Sequence, residues 1–112
     1  MGEKIFKIEA YVPKIALKRV MNALYEKGFG KIGNYDCCLS WYRINASWRP
    51  TAQAKPFLGK TGKIEKAVEY KIEFRCIEDE LDTAVKTIKD NHPYEEVCVN
   101  ITEIKTKSFG KE

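Results

Sequence analysis

The sequence predicts an α+β domain in which strands and helices follow the order β-α-β-β-α-β. Three observations carry this. Two stretches alternate apolar and polar residues with period two, and two others place apolar residues at i, i+3, i+4 and i+7. The length, 112 residues, is that of one ordinary domain.

In the first strand Phe6, Ile8, Ala10 and Val12 share one parity against Lys7 and Glu9. Such alternation marks a strand with one buried face. Pro13 stops it, and proline's fixed φ suits the opening of a helix. Leu17, Val20, Met21 and Leu24 form one apolar stripe, with Lys18, Arg19 and Lys27 off it. Gly28 is the residue at which that helix should stop. After a glycine-rich connector over 28–33, Tyr35, Cys37, Leu39 and Trp41 alternate with Asp36, Cys38, Ser40 and Tyr42, which predicts a second strand from Tyr35. Residues 45–63 lose all periodicity and carry Pro50, Pro56, Gly59 and Gly62. Val68, Tyr70, Ile72, Phe74 and Cys76 then alternate with Glu69, Lys71, Glu73 and Arg75, a third strand. Asp79 is the expected N-cap of the second helix, with Glu80 and Asp82 favourably placed in its first turn. Leu81, Ala84, Val85 and Ile88 make its stripe, and Asn91-His92-Pro93 ends it. Val97, Val99 and Ile101 open the last strand.

One apolar stripe per helix and one apolar face per strand are satisfied by two layers around one core. The expectation is therefore a ferredoxin-like βαββαβ sandwich: a four-stranded antiparallel sheet, two helices on one face, and a long loop between strands 2 and 3. A single domain is expected over residues 1–107, with a loose tail over 108–112. Ile5, Tyr11, Tyr42 and Ile104 project from the sheet's second face, as on an oligomer contact or a ligand surface.

Composition narrows the function. Apolar residues at 44% argue against disorder, and a net charge of +4 is too small to diagnose a nucleic-acid binder. No apolar run approaches the roughly 18–20 residues of a membrane helix, and no signal-peptide core follows the charged N-terminus, so a cytoplasmic protein is expected. Cys37, Cys38, Cys76 and Cys98 have no Cys-x-x-Cys spacing and lie in strand-like segments, where free buried thiols are expected. The charge is uneven. From Cys37 through Ile64 there is no Asp or Glu, while Arg43, Arg49, Lys55, Lys60 and Lys63 give that stretch +5 beside Trp41, Trp48 and Phe57. Long loops in compact domains tend to be functional, so an anionic small ligand or an acidic protein surface is one expected partner. A solvated loop whose aromatics pack on a neighbouring subunit is the other reading.

Several motifs fail on spacing. Gly59-Lys60-Thr61 resembles the end of a phosphate-binding loop, but Ala54 stands where that pattern needs glycine, and a strand follows where it needs a helix. Lys27-Gly28-Phe29-Gly30 begins like an RNA-binding signature, yet Lys31 and Ile32 break it, and it lies at the end of a helix. Cys37 and Cys38 should point to opposite faces of a strand, Cys37 to the core, leaving Cys38 the better candidate for chemistry. His92-Pro93-Tyr94-Glu95-Glu96 is the densest polar cluster. His92, at a helix C-terminus, is expected to be partly charged. With Glu95, Glu96 and Cys38 it forms a candidate divalent-metal set that one chain leaves short of ligands. The alternative is a turn that orients the last strand. No nucleophile–base pair emerges, and no enzyme is expected.

Three segments together resemble a known family. Gly30-Lys31-Ile32-Gly33-Asn34-Tyr35-Asp36-Cys37-Cys38 is similar to the glycine-rich turn and strand of the YqfO-type domain. Pro56-Phe57-Leu58-Gly59-Lys60-Thr61-Gly62-Lys63-Ile64-Glu65 resembles its loop-to-strand segment, and His92-Pro93-Tyr94-Glu95-Glu96 the motif that opens its last strand. Val97-Cys98 stands where many relatives have Pro-Ala. The resemblance implies a free-standing copy of the domain inserted in NIF-three-like dinuclear-metal proteins, whose metal centre lies in a flanking domain. It also implies a CutA-like and PII-like fold assembled as a homotrimer. That places Asn34, Tyr35, Trp41, Trp48, Lys60 and Tyr94 at intersubunit clefts, where a neighbour's residues would complete a ligand or metal site. The implied function is a non-enzymatic regulatory or ligand-binding module. A copper-type metal-binding protein or an assembly module without small ligand are the other two.

Overall fold

The computed structural model describes residues 4–107. The expected tail over 108–112 lies outside the described residues. The elements run β1 (Ile5–Pro13), α1 (Lys14–Glu26), β2 (Ser40–Trp48), β3 (Glu65–Ile77), α2 (Leu81–Asp90) and β4 (Val99–Ile104), with a 3₁₀ turn at Glu78–Glu80 before α2. The sheet order is β2-β3-β1-β4, and every neighbouring pair is antiparallel. This is the ferredoxin-like sandwich the sequence predicts.

The core forms where the periodicities placed it. Ile8, Ala10 and Val12 of β1 and Ile72, Phe74 and Cys76 of β3 meet Val20, Met21 and Leu24 of α1 and Ala84 and Ile88 of α2. Pro13 ends β1 and caps α1. The chain leaves α1 through a Schellman turn: Gly28, at φ 85°, donates to the Tyr25 carbonyl, and Phe29 donates to that of Leu24. Phe29 is thereby tucked against Phe74, with ring centroids 5.6 Å apart.

Five expectations are corrected. First, residues 35–39 are not a strand. Ile32 and Tyr35 bridge across a tight turn, and Cys37 sits at φ 56°, which breaks the extended path until Ser40. Cys37 is exposed rather than core-facing, while Leu39 does pack on the core. Second, only Cys76 is a buried thiol, and burial pushes its pKa up to about 11. All four cysteines are free. Third, Asp79 does not cap α2. The Glu80 carboxylate folds back to accept the Ile77 N–H at 3.1 Å, and the segment between tightens into the 3₁₀ turn. Fourth, β4 starts at Val99, two residues after Val97, although Val97 still packs against the core. Fifth, the connector is shorter than 45–63, because β2 continues to Trp48 and β3 begins at Glu65.

That last correction shapes the molecule. The last β1–β3 pair is Pro13↔Glu69, whereas β2 and β3 stay paired from Asn45↔Val68 to Trp48↔Glu65. Four residue pairs therefore project past the body as a two-stranded arm, and the whole measures 55 × 23 × 22 Å. Arm residues alternate in burial: Ala46 and Trp48 are half-buried, and Asn45 and Ser47 are exposed. On the face away from the helices the register aligns Ile5 with Ile104, and Tyr11 and Tyr42 with Lys71, as expected for the second face. The Lys71 ammonium lies over both tyrosine rings, 5.4 and 5.5 Å from their centroids.

Candidate functional site

The site is built at the root of the arm, where α2 ends. The Asn91 side chain donates to the Thr87 carbonyl at 2.8 Å, and Arg19 Nε donates to the Asn91 carbonyl at 3.0 Å. These bonds fix the turn that presents His92. Its imidazole, only 8% exposed, lies with Nε2 2.7 Å from the Tyr11 carbonyl. Its Nδ1 accepts the Tyr94 N–H at 3.2 Å. A carbonyl can only accept, so Nε2 carries the proton, and a nitrogen that accepts an N–H carries none. His92 is therefore neutral. Burial holds its pKa below the ordinary imidazole range, against smaller opposing pulls from the Tyr11 carbonyl and Glu69. The partly charged helix-end histidine expected from sequence is thus corrected.

Pro93 turns the chain so that Tyr94 enters the site. Its hydroxyl donates to Glu69 Oε2, and Glu69 is only 5% exposed in the middle of β3. Burial, and then the Glu69 carboxylate, push the Tyr94 pKa upward, so the phenol stays protonated. Three rings surround that of Tyr94: His92 at 4.8 Å, Phe57 at 6.0 Å and Trp48 at 6.2 Å between centroids. The connector is tied down at both sides of this cluster. Trp48 Nε1 donates to the Leu58 carbonyl at 3.1 Å, and the Lys55 N–H donates to Glu95 Oε1 at 2.6 Å. Gly59, at φ 104°, lies against the Trp48 indole, where an added Cβ would sit 3.4 Å from Nε1. The cavity enclosed by arm, connector and the 94–98 segment has a volume of about 650 Å³.

Among the residues expected at a cleft, Trp48 and Tyr94 line this cavity, whereas Asn34, Tyr35, Trp41 and Lys60 do not. Tyr35 is left outside by the tight turn at Gly33, and Trp41 lies on the β2 face opposite the cavity. Of the candidate metal ligands, Glu95 and Glu96 line the cavity and Cys38 does not. Cys38 Sγ points to the Asp36 carbonyl, 3.5 Å away. Among the described residues no group of three or more His, Cys, Asp or Glu side chains is assembled around a point. Sequence reasoning missed Glu69 altogether. It reads as one more outward acid beside Lys71 and Glu73, and its burial comes from residues far away in the chain.

Comparison with known proteins places this geometry. No family model matches the chain. Over 90 residues, 80% of its length, it is 34% identical to a Staphylococcus epidermidis protein named GTP cyclohydrolase 1 type 2 homolog, covering 25% of that protein. Over 104 residues it is 33% identical to the Staphylococcus aureus protein of the same name, covering 28% of it. The structure of a Bacillus cereus protein related to NIF3 superposes over 97% of the chain, with a TM-score of 0.81 and 26% identity, again covering 28% of that protein. The chain is homologous to one segment of the NIF3-related proteins. It spans about a quarter of their length. Free-standing proteins share the fold: CutA of Archaeoglobus fulgidus superposes over 93% of the chain and 87% of its own, with a TM-score of 0.69 at 18% identity. The GlnK–ATP complex of B. subtilis, of the PII kind, covers 93% and 84% respectively, with a TM-score of 0.62 at 17% identity. The chain has the CutA/PII-like fold.

Proposed function

We propose that this NIF3-related segment works as a non-enzymatic homotrimeric module that binds a small ligand in the cavity at the root of the arm. The cavity carries the reading. At about 650 Å³ it falls in the range of small-molecule sites, and its walls combine clustered, mutually tilted aromatic rings with a few convergent polar groups. Both His92 nitrogens are committed to main-chain partners, so the imidazole is not free to act as a general base. The cyclohydrolase name belongs to proteins of which this chain matches about a quarter and is not carried over.

Self-association is supported by the arm. A two-stranded ribbon alone is marginal in water. This one also leaves Val68 exposed, with Ile64 beside it on the connector and Trp41 nearer the body on β2. A neighbouring subunit would cover them. The fold's CutA relationship raises a divalent-metal reading, and the donors do not fit it. His92 has no free nitrogen, and Cys38 lies away from Glu95 and Glu96.

A thermal-shift screen of the full chain against nucleotides, amino acids and other metabolites tests the reading. At least one compound class is expected to raise Tm, and Ala46→Phe, which fills the cavity, should abolish that shift while preserving the circular dichroism spectrum. If no compound shifts Tm, the module is one of assembly alone.

A further inference from the structure

We infer that the cavity's ligand is a small organic cation: an amine, a methylated ammonium or a guanidinium carried on a flat or apolar body. This rests on the reading of the cavity as a ligand site and specifies what enters it. The positive charge of the 37–64 stretch pointed toward an anion, but the folded connector reverses that sign at the cavity. Lys55, Lys60 and Lys63 are not part of the lining, and Arg49 is the one cation there among the described residues. Three carboxylates face it: Glu69, Glu95 and Glu96.

Glu69 carries most of the inference. Charged side chains are rarely buried without a partner of opposite sign. Glu69 is 5% exposed, and no ion pair to it occurs among the described residues. The Tyr94 hydroxyl occupies one acceptor position on Oε2, whereas a carboxylate offers about four. His92 donates its Nε2–H to the Tyr11 carbonyl instead and is neutral. The site thus holds a buried carboxylate with no ion-pair partner among the described residues. The adjoining wall is the Trp48–Tyr94–Phe57 cluster. The negative faces of aromatic rings attract cations, and indole does so most strongly. A cation with an apolar body satisfies the carboxylate and the ring faces together. An anion would meet three carboxylates, and a neutral apolar molecule would leave Glu69 unpaired.

Tryptophan fluorescence tests this on the full chain. Trp41→Phe leaves Trp48 as the sole indole, since the chain has two tryptophans. Three probes of matched shape are titrated: phenethylammonium, 2-phenylethanol and phenylacetate. Phenethylammonium is expected to perturb Trp48 with at least about tenfold higher affinity than the other two, and added salt should weaken it. Glu69→Gln keeps an acceptor for Tyr94 and should erase the preference. Glu96→Gln, at an exposed position, should weaken the cation severalfold and leave the alcohol unaffected. Equal or tighter binding of the alcohol or the carboxylate overturns the inference while the ligand-site reading stands. Failure of all three probes to perturb Trp48 also overturns it, and the ligand-site reading then falls only if the metabolite screen is silent as well.

Discussion

At the scale of single residues, the site depends on three partners: buried Glu69 and His92, and half-buried Tyr94, which bonds each of them. Removing one hydroxyl exposes the dependence. Tyr94→Phe leaves Glu69 buried and short of its donor, which should cost about 1–2 kcal/mol in urea unfolding. A loss below about 0.5 kcal/mol would show that the hydroxyl is not Glu69's support. His92 sets a pH dependence whose sign follows from its neutrality. Its folded pKa lies below the ordinary value of 6.5, so the unfolded chain binds the proton more readily. Stability should be full above the ordinary range and should fall as pH drops below about 6.5 toward the depressed folded value. Urea midpoints measured between neutral and mildly acidic pH should show this slope in the parent and lose that component in His92→Gln. An unchanged slope would mean that His92 does not carry it. The family resemblance names Trp48 and Tyr94, together with four residues that lie outside the cavity. Glu69 was not legible, because its hydrogen-bond partner, Tyr94, lies 25 positions later in the chain.

At the scale of elements, the parity of β1 and β3 and the stripes of α1 and α2 led directly to the observed core, since one covered face is all those patterns encode. Legibility ended where backbone conformation replaced periodicity. Residues 35–39 alternate by coincidence. Their real organiser is Gly30, at φ 90°, where an added Cβ would stand 2.6 Å from the Cys38 nitrogen. The Cys38 N–H also bonds the Gly30 carbonyl at 2.8 Å, so the two backbones approach with no room for a side chain. Gly33, at φ 56°, has nothing within 4 Å of its added Cβ. The two glycines should therefore respond differently. Gly33→Ala should cost about 1 kcal/mol, the ordinary left-handed penalty. Gly30→Ala should cost at least about 2 kcal/mol, because the backbone must also shift. Equal urea midpoints for the two variants would contradict a close approach at Gly30. The arm was obscured differently. Ile44, Ala46 and Trp48 do alternate with Asn45 and Ser47, but Asn and Ala are poor strand formers, so the pattern is weak.

At the scale of the molecule, the proposed self-association rests on the arm. A compact domain of this length has a radius of gyration of about 13 Å. The observed value is 15.8 Å. The ribbon that projects beyond β1 accounts for the excess, and apolar groups on it and on the connector are exposed, including Val68, Ile64 and Phe57. The cavity sits at the base of that ribbon, so whatever holds the arm in place also holds the ligand wall. Assembly and binding are thus one question, and the oligomeric state comes first. Size-exclusion chromatography with multi-angle light scattering on the full chain at micromolar concentration decides it. A single species at three times the 12.9 kDa chain mass is expected. A monodisperse species at the mass of one chain would contradict the homotrimeric module.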